Sequence, residues 1–383
     1  MSAAPGSASA LVVGVAREAQ AGEARVALVP EIAGKFAAAG ARIVIERGAG
    51  AAAQFPDAGF KNVEFVADAA AVYARADLLL KVQPLTPGEA GQLRRGSVHA
   101  GFMQPHNNLA AIRVLRDRSV TSFAMELVPR ISRAQSMDAL SSQAAIAGYK
   151  AVLIAANTLD RFFPMLTTAA GTIRPAQVLV VGVGVAGLQA IATARCLGAI
   201  VEAYDVRSAT RDQVKSLGAK FVETGVTAEG AGGYARELTP EEKAQQQQVL
   251  DGRIAVADAV ITTAGVPGRP APRIVSRAAV ERMKAGAVIV DILAENGGNC
   301  ELTRAGETVR HGGVRIVGPV NLPAQLAYHA SEMYARNLYN LLSPALKQGV
   351  LTIDWSDEVF AGTALTHAGQ VKHAPTAQLL AAG

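Results

Sequence analysis

The sequence predicts an α/β protein made of two doubly wound parallel sheets, and three observations carry that prediction. Short, β-rich apolar runs alternate with helical stretches along most of the chain, which implies parallel strands joined by right-handed crossovers. One stretch, AQVLVVGVGVAGLQAIATARCLGAIVEAYD from Ala176 to Asp205, sets a strand, a glycine turn, a helix and a second strand in immediate succession. The chain has 383 residues, 50% of them apolar and 18% charged, enough for two domains with separate cores.

In the first half, Leu11–Ala16, Ala41–Glu46, Asp77–Val82, Val98–Met103 and Val120–Met125 read as strands, because each is a short apolar run bounded by turn residues. Glu31–Ala39 (closed by Gly40), Asp68–Ala76 and Leu109–Arg116 read as helices. No glycine fingerprint occurs there, so this sheet is expected to act as a platform. Residues 1–10 precede it as an expected disordered tail; SAAPGSAS is small and polar and lacks the basic start of a signal peptide. The tail after Trp355 shows no regular period.

Between Glu126 and Ser142 (ELVPRISRAQSMDALSS) the alternation breaks into a polar segment carrying Arg130, Arg133, Gln135, Asp138 and Ser141, and the helical stretch Gln143–Leu159 follows. Two readings stay open: the floor of an interdomain cleft, or a solvated linker whose Ser and Asp residues cap the helix.

The glycine turn is Gly182-x-Gly184-x-x-Gly187, between the apolar strand Val178–Val181 and the helix Leu188–Leu197, which Gly198 is placed to end. Gly182 permits the tight turn, Gly184 lets backbone approach a diphosphate, and Gly187 lets the helix pack on the sheet. The amides at the helix start, including those of Val185 and Ala186, have no intrahelical partner and favour an anion. Asp205, ending the next strand, can accept both hydroxyls of an adenosine ribose, and its charge argues for NAD over NADP. Val206 and Arg207 flank that position. Arg207 and Arg211 keep the NADP alternative open.

After Asp205 come a helix, Ala209–Leu217, and a strand, Lys220–Glu223. The glycine-rich stretch Thr224–Glu237, containing Tyr234, is either a surface insertion or a lid. A helix, Pro240–Leu250, leads to strands at Ala259–Thr263, Ala287–Ile292 and Val314–Val317. Loops at their carboxyl ends offer Ala264, Gly265, Glu295, Asn296 and Asn321 for the nicotinamide half of a dinucleotide, although any one alone is an ordinary turn residue. A long amphipathic helix, Ala324–Lys347 with a break near Pro344, suits a return to the first domain. The expected domains are therefore 11–142 with 330–383, and a Rossmann-like nucleotide-binding domain of 143–329.

Other chemistries are set aside. A net charge of +5 is spread along the chain without an aromatic platform, so a nucleic-acid role is not expected. The six histidines do not cluster, and His367 and His373 are spaced wrongly for one helix face, so no metal site is expected. Two cysteines, Cys196 and Cys300, suggest a reducing cytoplasm and no disulfide. No apolar run reaches the roughly 18 residues of a membrane helix.

Several segments together resemble one family. PRISRAQSMDALSSQ, AAGTIRPAQVLVVGVGVAGLQAIATA, DVRSAT, AGGYARE, VIVDILAENGGNCELT and IVGPVNLP are similar to the NAD(H)-binding component of proton-translocating NAD(P) transhydrogenases, over nearly the whole chain. The resemblance implies direct hydride transfer from NADH to NADP⁺ on a separate component, coupled by a membrane-spanning component to proton movement. It further implies a homodimer, peripheral on the inner face of the cell membrane, and an alpha-type subunit that is separate from the membrane component. Arg130, Gln135, Asp138 and Ser141 would contact and orient the nicotinamide, Tyr234 would belong to a mobile closing loop, and Asp205 would hold the ribose. Pro319 stands where a polar residue is expected, and the mobile loop differs in length from the family pattern.

Alanine dehydrogenase is the nearest alternative. There, an Arg and a Lys hold the keto acid and a His moves the proton. Arg25 and Lys81 match the first two; the His position falls on Gln104, with His99 and His106 close by. A third reading, an NAD-binding module without turnover, would not need the Arg130–Ser141 set.

Overall fold

The computed structural model describes residues 10–226, 239–265 and 268–382. The expected tail (2–9), Tyr234 and most of the glycine-rich stretch lie outside the described residues. The chain forms two compact units, one ending at Gln143 and resuming at Ala324, the other running from Ala144 to Pro323.

The first unit is a sheet grown outward from its first strand. β1 (Val12–Val15) pairs in parallel with β2 (Arg42–Glu46) on one side and, on the other, with β4 (Leu78–Leu80). β3 (Val63–Val66) extends the sheet beyond β2; β5 (Val98–Gly101) and β6 (Thr121–Ala124) extend it beyond β4. Leu78, Leu79 and Leu80 are fully buried, as a strand covered on both faces requires. Helices α1 (Pro30–Ala38), α2 (Ala69–Arg75), α3 (Pro87–Gln92) and α4 (Leu109–Asp117) make the crossovers. α2 is capped by Asp68, and α3 by a Thr86/Glu89 capping box with Pro87 in the first turn. β3 and α3 have no counterpart in the sequence reading.

α5 (Ala139–Thr158) begins in this unit and continues into the next. It is long and apolar enough to cross a membrane by length and composition, a correction to the expectation that no such run exists. Ala139 packs in a core of the first unit, and Ala151, Val152 and Ala155 in a core of the second.

The second unit repeats the doubly wound plan. After a small hairpin, β7 (Leu166–Thr168) with β8 (Gly171–Ile173), comes β9 (Gln177–Val181), in the interior of a seven-stranded sheet. β9 lies between β10 (Ile200–Tyr204) and β12 (Ala259–Thr262); β11 (Lys220–Phe221), β13 (Val288–Asp291) and β15 (Val314–Val317) continue outward, all parallel. The far edge is β14 (Thr308–His311), antiparallel to β15 and absent from the sequence reading. α6 (Val185–Cys196) joins β9 to β10 and stops at Gly198, whose φ is +87°.

The chain then returns through a helix, Ala327–Leu342, shorter than expected, and a hairpin of β16 (Leu346–Lys347) with β17 (Val350–Leu351). The tail after Trp355 is regular, contrary to the sequence reading. β18 (Ala364–His367) pairs antiparallel with β6, and β19 (Gln370–Val371) pairs with β18, so the first sheet is mixed and has eight strands. Trp355 covers the joint, its ring centroid 4.0 Å from that of His367 and 6.2 Å from that of Phe123.

One packing contact governs where the glycine turn sits. A Cβ at Gly148 of α5 would overlap the carbonyl oxygen of Ala186, and that neighbour is backbone. Gly148→Ala is expected to destabilise the protein by about 1–3 kcal/mol, with m unchanged, in urea unfolding. A loss below about 0.5 kcal/mol, the scatter of ordinary surface substitutions, would mean that this approach is not tight.

Candidate functional site

The glycine turn begins where β9 ends. Gly182 has φ +96°, and its N–H donates to the Tyr204 carbonyl, so the turn is anchored to β10. Its own carbonyl accepts from Thr263 Oγ1 at 2.9 Å. A Cβ at Gly187 would overlap the same carbonyl, so only glycine lets α6 approach. Gly184 differs. Its φ is −82°, and nothing lies within 4 Å of where a Cβ would be. Neither backbone strain nor packing demands glycine there, and the space beside it is open. Gly184 and Val185 are exposed, and α6 has no side-chain cap at its start. Its first amides therefore face outward without a side-chain acceptor.

Asp205 lies under the turn, its side chain only 6% exposed. Oδ2 accepts from the Val183 N–H at 2.8 Å, and Oδ1 from the Arg207 N–H at 2.9 Å. The Arg207 guanidinium adds Nε to Oδ1 and Nη2 to Oδ2, both at 2.9 Å. Burial pushes the carboxyl upward, but the bonds from Arg207 and the two amides override it and hold it below the usual carboxylate range. Val206 packs against a core of this unit. Arg211, by contrast, turns to Glu223 and over the Phe221 ring.

The loops after β12, β13 and β15 are organised by residues that sequence reading missed. Asn299 is fully buried; it accepts from the Ala264 N–H and donates to the Ala264 and Pro272 carbonyls. Asp291, also fully buried, accepts from the Leu293 and Cys300 amides and from Thr303 Oγ1. Gly265 packs on Leu293, where a Cβ would come within 2.5 Å of Cδ1. Glu295 accepts from the Asn321 N–H at 3.0 Å, and Asn321 sits at φ +43°. Asn296 lies in a short 3-10 turn beside Glu295, and Pro319 is buried.

In the first unit, Asp138 and Ser141 come together. Asp138 Oδ1 accepts from the Ser141 N–H at 2.9 Å and Oδ2 from its hydroxyl at 2.6 Å, which caps α5. Arg130 and Gln135 are exposed on the segment leading into that cap.

The same unit holds a buried ionic cluster. Arg25 donates Nε and Nη2 to Glu23, at 2.9 and 2.7 Å, and Nη1 to Gln143 at 2.8 Å. Lys81, 2% exposed, lies 3.0 Å from Glu89 and 3.3 Å from Glu18. Burial raises Glu23, but Arg25 outweighs it and takes the carboxyl down to about 2. Lys81 is lowered by burial and raised more by Glu18 and Glu89, so it stays charged. Burial dominates at Glu18, whose carboxyl is pushed up. His99, fully buried beside this cluster, is pushed down to about 3, by burial first and by the Lys81 charge second. Gln104 and His106 are exposed, and the Gln104 N–H donates to Glu126. Among the described residues no group of three metal-ligating side chains occurs.

Two family profiles cover nearly all of this chain: "Alanine dehydrogenase/PNT, N-terminal domain" over residues 14–147 and "Alanine dehydrogenase/PNT, C-terminal domain" over residues 151–374. The chain belongs to the alanine dehydrogenase/PNT family. Within the family it is 43% identical to an NAD(P) transhydrogenase alpha subunit of Rhodospirillum rubrum, over 94% of this chain and 97% of that one. The crystal structure of a transhydrogenase from Sinorhizobium meliloti superposes with a TM-score of 0.86 at 45% identity, covering 94% of this chain and 99% of the other. Alanine dehydrogenase of Mycobacterium tuberculosis is more distant, 33% identical over 76% of this chain and 75% of its own.

The histidine makes acid stability a readout of the buried cluster. His99 is depressed from 6.5 to about 3 on folding. Between those values the unfolded chain binds a proton that the folded chain does not, so stability falls as pH drops through that window. Relative to His99→Gln, the unmodified protein is expected to lose about 2 kcal/mol between about pH 7.5 and pH 5. Parallel urea profiles for the two proteins over that range would refute this.

Proposed function

We propose that this chain is the NAD(H)-binding component of a proton-translocating transhydrogenase, exchanging hydride with NADP(H) held on a separate component. The observation that favours this over alanine dehydrogenase is the internal pairing of Arg25 and Lys81. A keto acid carboxylate would have to displace Glu23 from Arg25, or Glu18 or Glu89 from Lys81. Stranding one partner of a buried ion pair costs about 3–5 kcal/mol. His99 is neutral and buried, unsuited to carrying a proton to substrate.

The nicotinamide, when bound, supplies the carbon that gives or takes the hydride. The chain's role is to hold and orient the cofactor. The α6 amides at Val185, Ala186 and Gly187 donate to the diphosphate, which Gly182 and Gly184 allow to come close. Asp205 takes the adenosine ribose, flanked by Val206 and Arg207. Ala264, Gly265, Glu295 and Asn321 line the nicotinamide side, on loops that Asn299 and Asp291 hold in shape. Arg130, Gln135, Asp138 and Ser141 orient the nicotinamide, and Tyr234 closes over it. Transfer between two nicotinamides requires their carbons within about 3–3.5 Å and moves no proton through a side chain, which suits a site without a titrating histidine.

The partners under this reading are the NADP(H)-binding component, a membrane-spanning component and a second copy of this chain, at the inner face of the cell membrane. Phe162 and Met165 precede the β7–β8 hairpin and Ile173 ends it; they are 53%, 64% and 46% exposed. That apolar group supports the homodimer. Met165→Asp with Ile173→Asp is expected to shift the protein toward monomer in light scattering; an unchanged mass would place the dimer contact elsewhere or remove it.

Activity decides between the two enzymes. Mixed with an NADP-binding component, the purified chain should pass hydride between NADH and an NADP⁺ analogue without membrane. Arg130→Ala should slow that rate at least about tenfold, about 1.4 kcal/mol in the barrier, with a smaller change in NADH affinity. Asp138→Asn should do the same while retaining most of the helix cap. Turnover with pyruvate, ammonium and NADH would overturn the assignment in favour of alanine dehydrogenase.

A further inference from the structure

Asp205 has more claimants than acceptor sites. A carboxylate offers about four lone-pair positions. In the structure, Oδ1 receives the Arg207 N–H and Nε, and Oδ2 receives the Val183 N–H and Arg207 Nη2, all within 2.8–2.9 Å. The two backbone amides are fixed by the fold: Val183 lies inside the glycine turn, and Arg207 just beyond the strand end. The guanidinium is the movable occupant, since the Arg207 side chain is 39% exposed against 6% for Asp205. Its Nη2 also reaches the Val183 carbonyl at 3.4 Å, so it lies against the turn.

We propose that Arg207 is a latch on the ribose site: its guanidinium and the ribose diol compete for the same two carboxylate oxygens, so the dinucleotide binds only after the fork swings out. This rests on the reading of Asp205 as the ribose acceptor. Arg207 then sets specificity as well as affinity. A ribose with both hydroxyls free replaces the two bonds that the fork gives up. A 2′-phosphorylated ribose can donate only one hydroxyl and brings a negative charge to Asp205, so it depends on the displaced guanidinium for compensation. The same side chain therefore opposes NADH and assists NADPH.

The latch is tested by titrating NADH and NADPH into unmodified protein, Arg207→Ala and Arg207→Lys, using nucleotide fluorescence, with circular dichroism confirming that each variant is folded. Arg207→Ala is expected to bind NADH at least about threefold more tightly, as loss of a partly exposed but bidentate ion pair allows, and to bind NADPH no better. The NADH preference should therefore widen by at least that factor. Arg207→Lys, which keeps the charge but not the fork, should fall between the two. NADH affinity that is unchanged or weaker in Arg207→Ala would overturn the latch and make Arg207 a supporting contact. Failure of the unmodified protein to bind NADH would instead overturn the cofactor reading, and the latch with it.

Discussion

The second unit depends on two places where backbone meets backbone with no room for a methyl group. Gly187 against the Gly182 carbonyl brings the start of α6 down onto the turn, and Gly148 against Ala186 presses α5 onto the same spot. Both contacts are steric and short-ranged, so they fix position more sharply than apolar packing can. The outward amides of α6, the buried Asp205 and the Thr263 hydroxyl on Gly182 then follow from where that turn is held. Gly184 is free of both constraints.

The buried charges of the first unit pull in the opposite direction from its apolar core. Arg25, Glu23, Lys81, Glu18 and Glu89 sit among strands that bury nearly everything else. Such a cluster is tolerated because each charge has a partner, and it is expensive to disturb for the same reason. Here both cations, Arg25 and Lys81, are committed to the chain's own carboxylates.

How much of this the sequence revealed depended on how far each constraint reaches along the chain. The turn, its flanking strands and Asp205 were legible because Gly182 to Asp205 is one continuous stretch. The helix Pro87–Gln92 was missed although Thr86-Pro87-x-Glu89 announces its start, because the element is only six residues long. Asn299 and Thr263 were missed for a different reason. Asn299 reaches Ala264 across 35 residues, and Thr263 reaches Gly182 across 81, so nothing local marks them. The strands β14 and β18 take their conformation from a neighbour already in place, and their own residues carry no strong period. The pairing of Asp138 with Ser141 bears out the capping reading of the polar segment, since the pair closes the first turn of α5.

The closing of the first sheet by β18 has a consequence for how the protein is made. Thr366 Oγ1 bonds to the Val120 carbonyl across 246 residues, and β18 covers the edge of β6. The second unit is a single contiguous segment, complete once Pro323 has been synthesised. Chains emerge from the ribosome at about 5–20 residues per second, so β6 waits many seconds with an open edge while its neighbour unit can already fold. An open strand edge invites pairing with other chains. During that interval the nascent first unit presents the β6 edge that β18 later covers.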